Sequence, residues 1–270
     1  MGKGMTRVDL FADKGTEEVL DVAFYALSGG VWVEDEGAGV RITCYPADPD
    51  RLLAYVREAA VPVRDIKTTE EEKRDYAAEV RRRFRPVRIG GLTVLPPWRR
   101  PGGKGREIVI EPGMAFGTGR HESTKLMAAM MDRITIRGRT VLDIGSGSGI
   151  LALNASLLGA SRVAAIDHDP VAAEAMKKGC ALNGRSDILL VCGDIDSVKG
   201  VFDVVLANLD FASFKKRASE IARRVAPGGR LLVSGVEEQN AENLPPLFSP
   251  LTLLEHRRMR DWHGFVFGAG

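Results

Sequence analysis

The sequence predicts an α/β chain in which a smaller ferredoxin-like α+β domain precedes a doubly wound, mostly parallel sheet. Two observations lead to this prediction. Before residue 68, strand-like and helix-like segments follow the order β-α-β-β-α-β. After Pro112, apolar strands alternate with helices, which is typical of parallel βα units. We therefore expect a small domain at residues 1–67, a helical connector and lead-in at 68–105, and a larger domain at 106–270.

Short apolar runs and turn residues define the elements of the small domain. The strand-like "RVDLFA" is followed by "TEEVLDVAFYAL", whose apolar residues recur at helical spacing after a Thr16 cap. Gly29 and Gly30 end that helix, and the alternating runs "VWVED" and "GVRITCYP" predict two strands. A second helix begins at Asp48 and Pro49, and the strand-like "VPVRDI" closes the series.

The segment from Thr68 to Arg85, "TTEEEKRDYAAEVRRRFR", carries acids first and arginines last. That order suits the dipole of a solvent-exposed helix, so we interpret the segment as a connector. The arginine cluster at Arg81, Arg82, Arg83 and Arg85 has a second interpretation, as a contact for RNA or an acidic partner. Charge runs usually serve only to solvate a helix face, so direct nucleic-acid specificity is not expected.

The larger domain shows a longer alternation of strands and helices. "TVLDIG" predicts a strand and "SGILALNASLLGA" a helix, "SRVAAID" is the next strand, and a further helix runs from Asp169 to Asn183. "DILLVCGD" and "FDVVLANL" predict two more strands. A helix around Phe214 to Val225, the strand "GRLLVSG" and two strand-like runs, "LTLLEHRRM" and "GFVFG", complete the domain.

The bulk composition is ordinary for a folded soluble protein, and we expect its three cysteines to be reduced thiols in a cytoplasmic protein. In 270 residues, 44% are hydrophobic and 27% charged, and 38 basic residues nearly balance 36 acidic ones. No overall field therefore favours a nucleic acid or a membrane surface as partner. Cys44, Cys180 and Cys192 lie too far apart for a disulfide framework or a paired zinc site, and we expect no metal. No apolar run has the length of a signal peptide or a membrane span, so membrane association is not expected.

A glycine-rich turn follows the first strand of the larger domain. Gly145, Gly147 and Gly149 give G-x-G-x-G, which places bare backbone N–H groups at the carboxyl edge of the sheet. The dinucleotide fingerprint G-x-G-x-x-G and the P-loop motif both differ from this spacing. Asp143 precedes the turn, and Asp167 ends the second strand, where a carboxylate can accept hydrogen bonds from ribose hydroxyls. The pattern favours a nucleoside ligand, although acids that merely finish strands remain an alternative.

These motifs resemble a known family. "VLDIGSGSG" and the acidic position Asp167 resemble class I S-adenosylmethionine-dependent methyltransferases. "EPGMAFGTGRHESTK" resembles the signature PG-x-AFGTG-x-H-x-[ST]-T of the ribosomal protein methyltransferase family PrmA, and "RFRPVRIGGLTVLPPW" is similar to that family's connector. The resemblance covers most of the chain. It implies a seven-stranded methyltransferase sheet, an N-terminal domain that holds the substrate, and S-adenosylmethionine-dependent N-methylation of amino groups on the large-subunit ribosomal protein L11.

The resemblance also implies roles for particular residues. Asn208 would face the methyl group and the incoming amine, since an amide oxygen can accept the N–H bonds of a neutral amine. Asp167 would bind the ribose and Asp194 the adenine, while Thr124 would begin a helix and bond to the cofactor. The full expected set of cofactor-binding residues is Phe116, Gly117, Thr118, Gly119, Thr124, Asp143, Gly145, Gly147, Asp167, Asp194 and Asn208.

Two departures from the family pattern concern the acceptor. The usual N-[IV]-L reads Asn208-Leu209-Asp210, and the usual H-[PQ]-T-T reads "HEST" from His121, which introduces Asp210 and Glu122. Methylation of a different protein lysine or of a small molecule therefore stays open, as does a noncatalytic cofactor-binding module associated with the ribosome. A nicotinamide oxidoreductase is a remote alternative. We expect Trp262, like Trp98, to be a packing residue.

Overall fold

A computed structural model describes residues 5–16, 20, 22–37, 39–71, 85–99, 101–103, 105–111, 119 and 121–270. The chain forms two compact units, residues 1–80 and 81–270. Within the described ranges, no helix combines the length and the apolar character that a membrane span requires.

In the first unit, the described residues form a four-stranded antiparallel sheet and two helices. Its elements follow the predicted order: β1 (Met5–Ala12), α1 (Val22–Ser28), β2 (Val31–Asp35), β3 (Val40–Cys44), α2 (Pro49–Glu58) and β4 (Val63–Glu71). The strand order across the sheet is β2-β3-β1-β4. Asp48 caps α2 as predicted, because its side chain accepts a hydrogen bond from the Arg51 amide at 3.1 Å. Residues from both helices and the inner strands form one core, which includes Leu10, Phe24, Ile42, Leu52 and Val56.

Strand β4 is longer than the sequence predicts. Met5 pairs with Glu71 and Val8 with Thr68, so residues 68–71 belong to the sheet. The prediction that a helix begins at Thr68 is therefore wrong for these four residues. Their charge pattern suits a helix, but pairing with the distant strand β1 overrides local propensity. The rest of the expected connector helix, from 72 to 84, lies outside the described residues together with Arg81, Arg82 and Arg83.

The second unit begins with a small sheet where the sequence predicted only a lead-in. It contains β5 (Val87–Ile89), β6 (Leu92–Leu95) and β7 (Arg106–Val109). β5 and β6 form an antiparallel pair, and β6 and β7 a parallel one. Ile89, Leu92 and Ile108 from this small sheet are almost fully buried. They belong to the same hydrophobic core as residues of the larger sheet described next.

The larger sheet has seven strands and is mostly parallel, as predicted. Its strands are β8 (Thr140–Ile144), β9 (Arg162–Asp167), β10 (Ile188–Cys192), β11 (Phe202–Asn208), β12 (Val225–Glu237), β13 (Thr252–Met259) and β14 (Trp262–Gly268). Their order across the sheet is β10-β9-β8-β11-β12-β14-β13. β14 runs antiparallel to both β12 and β13, and the other neighbours are parallel.

Helices cover the sheet on both faces. The helices are α3 (Glu122–Met131), α4 (Ile150–Leu157), α5 (Pro170–Leu182) and α6 (Phe211–Ala222). Neighbouring residues of β8 enter different cores: Val141 packs with residues of α3, α4 and α5, whereas Leu142 packs with residues of α6. Alternate residues of a strand face opposite sides, so both faces of the sheet are buried.

Two of these helices begin at aspartate caps. Asp169 caps α5 as predicted, by accepting a hydrogen bond from the Val171 amide at 2.8 Å. α6 begins at Phe211, three residues earlier than predicted, because the Asp210 side chain accepts a hydrogen bond from the Ser213 amide at 2.6 Å. Asp210 is one of the two departures from the family pattern, and the cap gives it a structural role.

Candidate active site

The glycine-rich turn after β8 is tied to the end of β9. The amides of Gly145 and Ser146 both donate to the Ile166 carbonyl, at 2.9 and 3.1 Å. Gly145, Gly147 and Gly149 have φ angles of +67°, +55° and +78°. These angles lie in the left-handed region that only glycine adopts at little cost, so the sequence pattern is a requirement of the turn.

Asp167 lies beside this turn and helps to hold it. Its carboxylate accepts hydrogen bonds from the amides of Gly147, at 2.9 Å, and Asp169, at 3.0 Å. The residue is only 8% exposed, and its carbonyl accepts a bond from the Gly193 amide at 2.8 Å. The end of β9 is therefore joined to the ends of both neighbouring strands, and the carboxylate has a fixed orientation.

Asp143, in the strand that precedes the turn, holds the turn through hydrogen bonds. One carboxylate oxygen accepts hydrogen bonds from the Ser146 hydroxyl at 2.7 Å and the Ala152 amide at 3.1 Å. The other oxygen is buried and has no partner among the described residues. Burial raises the pKa of Asp143 to about 7, although the hydrogen bonds from Ser146 and Ala152 act in the opposite direction. Asp143 therefore orients the turn and still has an unused acceptor.

The second glycine-rich segment leads into α3. Phe116, Gly117 and Thr118, three expected cofactor-binding residues, lie outside the described residues. Gly119 has a φ of +80°, and a Cβ there would lie 3.0 Å from Val94 Cγ2. Thr124 is in the first turn of α3, fully buried, and its hydroxyl has no partner in the described part of the chain.

The segment after β11 lies between the turn and a pocket. The Asn208 side-chain oxygen is buried and unpartnered among the described residues. The Leu209 amide donates to the Ser234 carbonyl at 3.1 Å. The Leu209 side chain packs against the glycine-rich turn, since a Cβ built on Gly145 would lie only 2.2 Å from Leu209 Cδ2. Asn208 is thus held at the end of a central strand, close to the glycine-rich turn.

The pocket has a volume of about 540 Å³. It combines aromatic walls with charged groups of both signs. Its lining residues are Asp210, Phe211, Ala212, Lys215, Gly235, Glu237, Asn240 and Trp262. Among these residues the sequence pointed only to Asp210, because the others come from α6, β12, the turn that follows β12, and β14, and no local motif joins them.

Comparison with known proteins identifies the family of this chain. Residues 32–268 match the family model described as ribosomal protein L11 methyltransferase (PrmA). The chain belongs to this family. A ribosomal protein L11 methyltransferase from Pelobacter propionicus is 31% identical over 277 residues, which cover 98% of this chain and 89% of the relative. Another from Geobacter metallireducens is 38% identical over 216 residues, which cover 78% of this chain and 71% of the relative.

A solved structure agrees with this assignment. The ribosomal protein L11 methylase from Lactobacillus delbrueckii subsp. bulgaricus superposes with a TM-score of 0.64 at 27% identity. The match covers 68% of this chain and 98% of that one. The protein is an S-adenosylmethionine-dependent protein methyltransferase of the PrmA family. The predicted family, enzyme class and cofactor are therefore confirmed.

Unpartnered polar atoms in the larger domain fit S-adenosylmethionine. Asp143 Oδ1 and Asn208 Oδ1 belong to β8 and β11, and Thr124 Oγ1 lies in the first turn of α3; all three are buried and lack a partner within the described ranges. Buried polar atoms are rarely left unpaired, so these three atoms favour a polar ligand. Asp167 adds a carboxylate that can accept further hydrogen bonds, because each of its two oxygens accepts only one from a backbone amide.

Asp194 differs from the other expected residues because its carboxylate is already engaged. One oxygen accepts a hydrogen bond from the Ile195 amide at 2.7 Å, and the other pairs with the Arg217 guanidinium from α6. Arg217 also pairs with Glu220 at 2.7 Å. If Asp194 contacts an adenine, its carboxylate has to bind the adenine while it also binds the Ile195 amide and Arg217.

Two residues at the start of α3 contact the tip between β13 and β14. The His121 ring meets the Trp262 ring edge to face, with centroids 4.3 Å apart. Glu122, the second departure from the family pattern, pairs with Arg260 at 3.2 Å and Lys125 at 3.5 Å. Trp262 packs as the sequence predicts, and it also forms a wall of the pocket, which the sequence did not predict. In the described residues, no group of three or more His, Cys, Asp or Glu is arranged to hold a metal ion.

A substitution at Gly235 tests whether the position of Leu209, directly after β11, matters for activity. A Cβ at Gly235 would lie 2.3 Å from the carbonyl oxygen of Leu209 and 3.0 Å from its nitrogen. Backbone atoms cannot rotate away, so Gly235→Ala has to displace Leu209 and, with it, Asn208. We expect the variant to lose about 1–3 kcal/mol of stability from overpacking, beyond the strain of its positive φ, and to lose most of its methyl transfer activity.

Gly138→Ala is the matched control for this variant. Gly138 has a φ of +76°, but no atom lies within 4 Å of the position of its Cβ. It should therefore show only the strain of the left-handed backbone, about 1–2 kcal/mol, with normal activity. Denaturant unfolding and methyl transfer assays measure both effects. Equal loss of stability and activity in the two variants would show that contact with Leu209 is unimportant.

Proposed function

We propose that this enzyme methylates amino groups of ribosomal protein L11, either a lysine side chain, the N-terminal amine, or both. The observation that carries the proposal is the side-chain oxygen of Asn208. It is buried and lacks a partner among the described residues. Asn208 ends β11, next to Leu209, which contacts the glycine-rich turn, and two residues before Asp210, which lines the pocket. An amide oxygen in that place can accept an N–H bond of an amine without adding a charge.

We assign the cofactor contacts to the residues around the two turns. Asp167 would accept hydrogen bonds from the ribose hydroxyls, and Asp194 would contact the adenine. The remaining contacts would come from Phe116, Gly117, Thr118, Gly119, Thr124, Asp143, Gly145, Gly147 and Asn208. The unpartnered oxygens of Thr124 and Asp143 support this assignment. The bound cofactor supplies an electrophilic methyl group on a sulfonium centre.

The pocket provides a route for the acceptor. Phe211 and Trp262 offer apolar walls to an alkyl stem, and the carboxylates of Asp210 and Glu237 attract its cationic end. Methyl transfer requires a neutral amine whose lone pair points along the axis of displacement. Asn208 Oδ1 would fix that direction by accepting one N–H, and the apolar walls would exclude water that competes for it. The acceptor ammonium would release one proton to solvent before transfer. The new N–CH3 bond would then form as the S–CH3 bond of the sulfonium breaks, which would leave a neutral thioether and a methylated ammonium.

We propose a division of labour between the two units. Residues 1–67 would recognise the protein substrate as a ferredoxin-like domain, 68–105 would connect, and 106–270 would form the methyltransferase domain. The strand order β2-β3-β1-β4, with α1 and α2 in the intervening connections, supports the ferredoxin-like assignment. The continuation of β4 to Glu71 argues that the first boundary lies a few residues later than 67. We propose a cytoplasmic location, where newly made ribosomal proteins are found.

Transfer of radiolabelled methyl groups tests the proposed function. The purified enzyme is incubated with labelled S-adenosylmethionine and either purified L11, ribosomal subunits, or a lysate from cells that lack the enzyme. We expect label on L11, and mass spectrometry of the product should place it on amino groups. Label on another protein or on a small molecule would contradict the proposed acceptor. Cofactor binding without any transfer would instead favour the noncatalytic module.

A further inference from the structure

Strand β2 is an edge of the sheet in the first unit. Residues Val31–Asp35 pair with β3 along one side, and no described strand pairs with the other side. Alternate residues of such a strand direct their N–H and C=O groups outward, which makes an edge a template for another strand. The outer side of β2 therefore offers unpaired backbone groups in regular order.

The side chains of this edge are apolar and exposed. Trp32 is 65% exposed, which is the highest value among large hydrophobic residues in the described part of the chain, and Val33 is 41% exposed. These neighbours lie on opposite faces of the sheet because side chains alternate along a strand. Tyr25, on the helix that leads into β2, is 50% exposed. Apolar surface thus lies on both sides of the unpaired backbone.

The opposite edge of the same sheet is built differently. β4 carries Arg64, Asp65, Lys67 and Glu70, all exposed. Charged residues along an edge strand prevent unwanted pairing with other chains. The first three residues of β2 carry no charge. Charges therefore extend along β4, whereas in β2 they are confined to Glu34 and Asp35, which favours a partner strand beside Val31–Val33.

The charges near β2 indicate what that partner carries. Glu34 and Glu36 share the Arg41 guanidinium, and Asp35 pairs with Lys14 at 2.7 Å. Three carboxylates thus share two cations, which leaves excess negative charge at the end of the strand. A basic segment complements this charge, whereas a second copy of the chain would bring the same acidic run.

We propose that β2 is the docking edge for an extended basic segment of the protein substrate, which adds as a fifth strand beside Val31–Asp35 and covers Trp32. Backbone hydrogen bonds along the edge would provide affinity, and contacts with alternate side chains would provide specificity. A basic residue of the segment would lie near Glu34 to Glu36. This inference rests on the proposed function, since the partner is the protein that is methylated.

Trp32→Lys tests the docking edge in the full-length enzyme with purified L11 as substrate. The variant removes the apolar anchor and places a cation opposite the basic segment. We expect the KM for L11 to rise by about tenfold or more, as for an anchor residue of an interface. The kcat, the Kd for S-adenosylmethionine and the melting temperature should stay unchanged. Thr68→Lys, at an exposed position on β4, is the matched control and should leave KM unchanged.

Hydrogen exchange gives a second measurement that does not depend on turnover. The amides of β2 that face away from β3 should gain protection when L11 is added to the wild-type enzyme, and should gain none in Trp32→Lys. An unchanged KM in a folded Trp32→Lys variant, or protection elsewhere in the first unit, would overturn the docking edge while leaving the proposed function intact. Self-association that Trp32→Lys abolishes would overturn it in favour of a second copy. Failure of the wild-type enzyme to methylate L11 would overturn both.

Discussion

Replacing Asn208 with alanine is expected to reduce kcat by about 100-fold or more, the effect of losing one oriented hydrogen-bonding group at a reaction centre. The Kd for S-adenosylmethionine should change far less, because the glycine-rich turn and Asp167 are unaffected by the substitution. The expected separation follows from the position of Asn208, whose buried oxygen has no partner among the described residues and which ends β11 two residues before Asp210 of the pocket. Methyl transfer kinetics and calorimetric titration with the cofactor measure the two quantities.

Asn154→Ala is the matched control for this experiment. Asn154 is fully buried on α4, its side-chain oxygen is also unpartnered among the described residues, and its amide contacts Met131 Sδ at 3.6 Å. It lies away from the pocket, so its replacement should change stability without changing kcat. If Asn208→Ala stays folded and keeps its kcat, Asn208 has no role in aiming the amine, and the noncatalytic interpretation gains support.

Replacing Asp167 with alanine is expected to produce the largest loss of cofactor affinity. A hydrogen bond to a charged group contributes about 1.5–3 kcal/mol, so losing two ribose contacts should raise the Kd by about 100-fold or more. The Gly147 amide would also lose its partner at 2.9 Å, which loosens the turn. Titration with S-adenosylmethionine measures the Kd directly and needs no acceptor.

Asp169→Ala separates this effect from general damage to the end of β9. Asp169 is two residues away and caps α5 through the Val171 amide at 2.8 Å. Its loss should cost about 1 kcal/mol of stability, as for other helix caps, with little change in Kd. Similar Kd values for the Asp167 and Asp169 variants would contradict a direct contact between Asp167 and the ribose.

The sequence predicted those parts of the fold and site that depend on local patterns. Each strand from β8 to β11 is an apolar run followed by a turn, and parallel strands bring their carboxyl ends to one edge. Asp167 and Asn208 could therefore be placed at a common edge from their positions after two strands. The caps Asp48 and Asp169 were also predictable, because capping involves residues only two or three positions apart.

The remaining features depend on contacts between distant segments. The pocket needs α6, β12 and β14 together, so the roles of Phe211, Glu237 and Trp262 had no local signal. Asp194 appeared in the sequence as a free acid after a strand, yet Arg217 from another element occupies one of its oxygens. The extension of β4 to Glu71 likewise depends on β1, which lies at the other end of the unit's sequence.

The position of β14 has a consequence for how the enzyme is made. β14 is synthesised after β13 but lies between β12 and β13 in the sheet. Among the strands that the structure describes, β13 pairs with β14 alone. During translation β13 cannot join the sheet until β14 has emerged from the ribosome. The same late strand contributes Trp262, which packs on His121 and lines the pocket. A nascent chain that has not yet exposed β14 therefore lacks a complete site, and competence to methylate is acquired only near the end of synthesis of this unit.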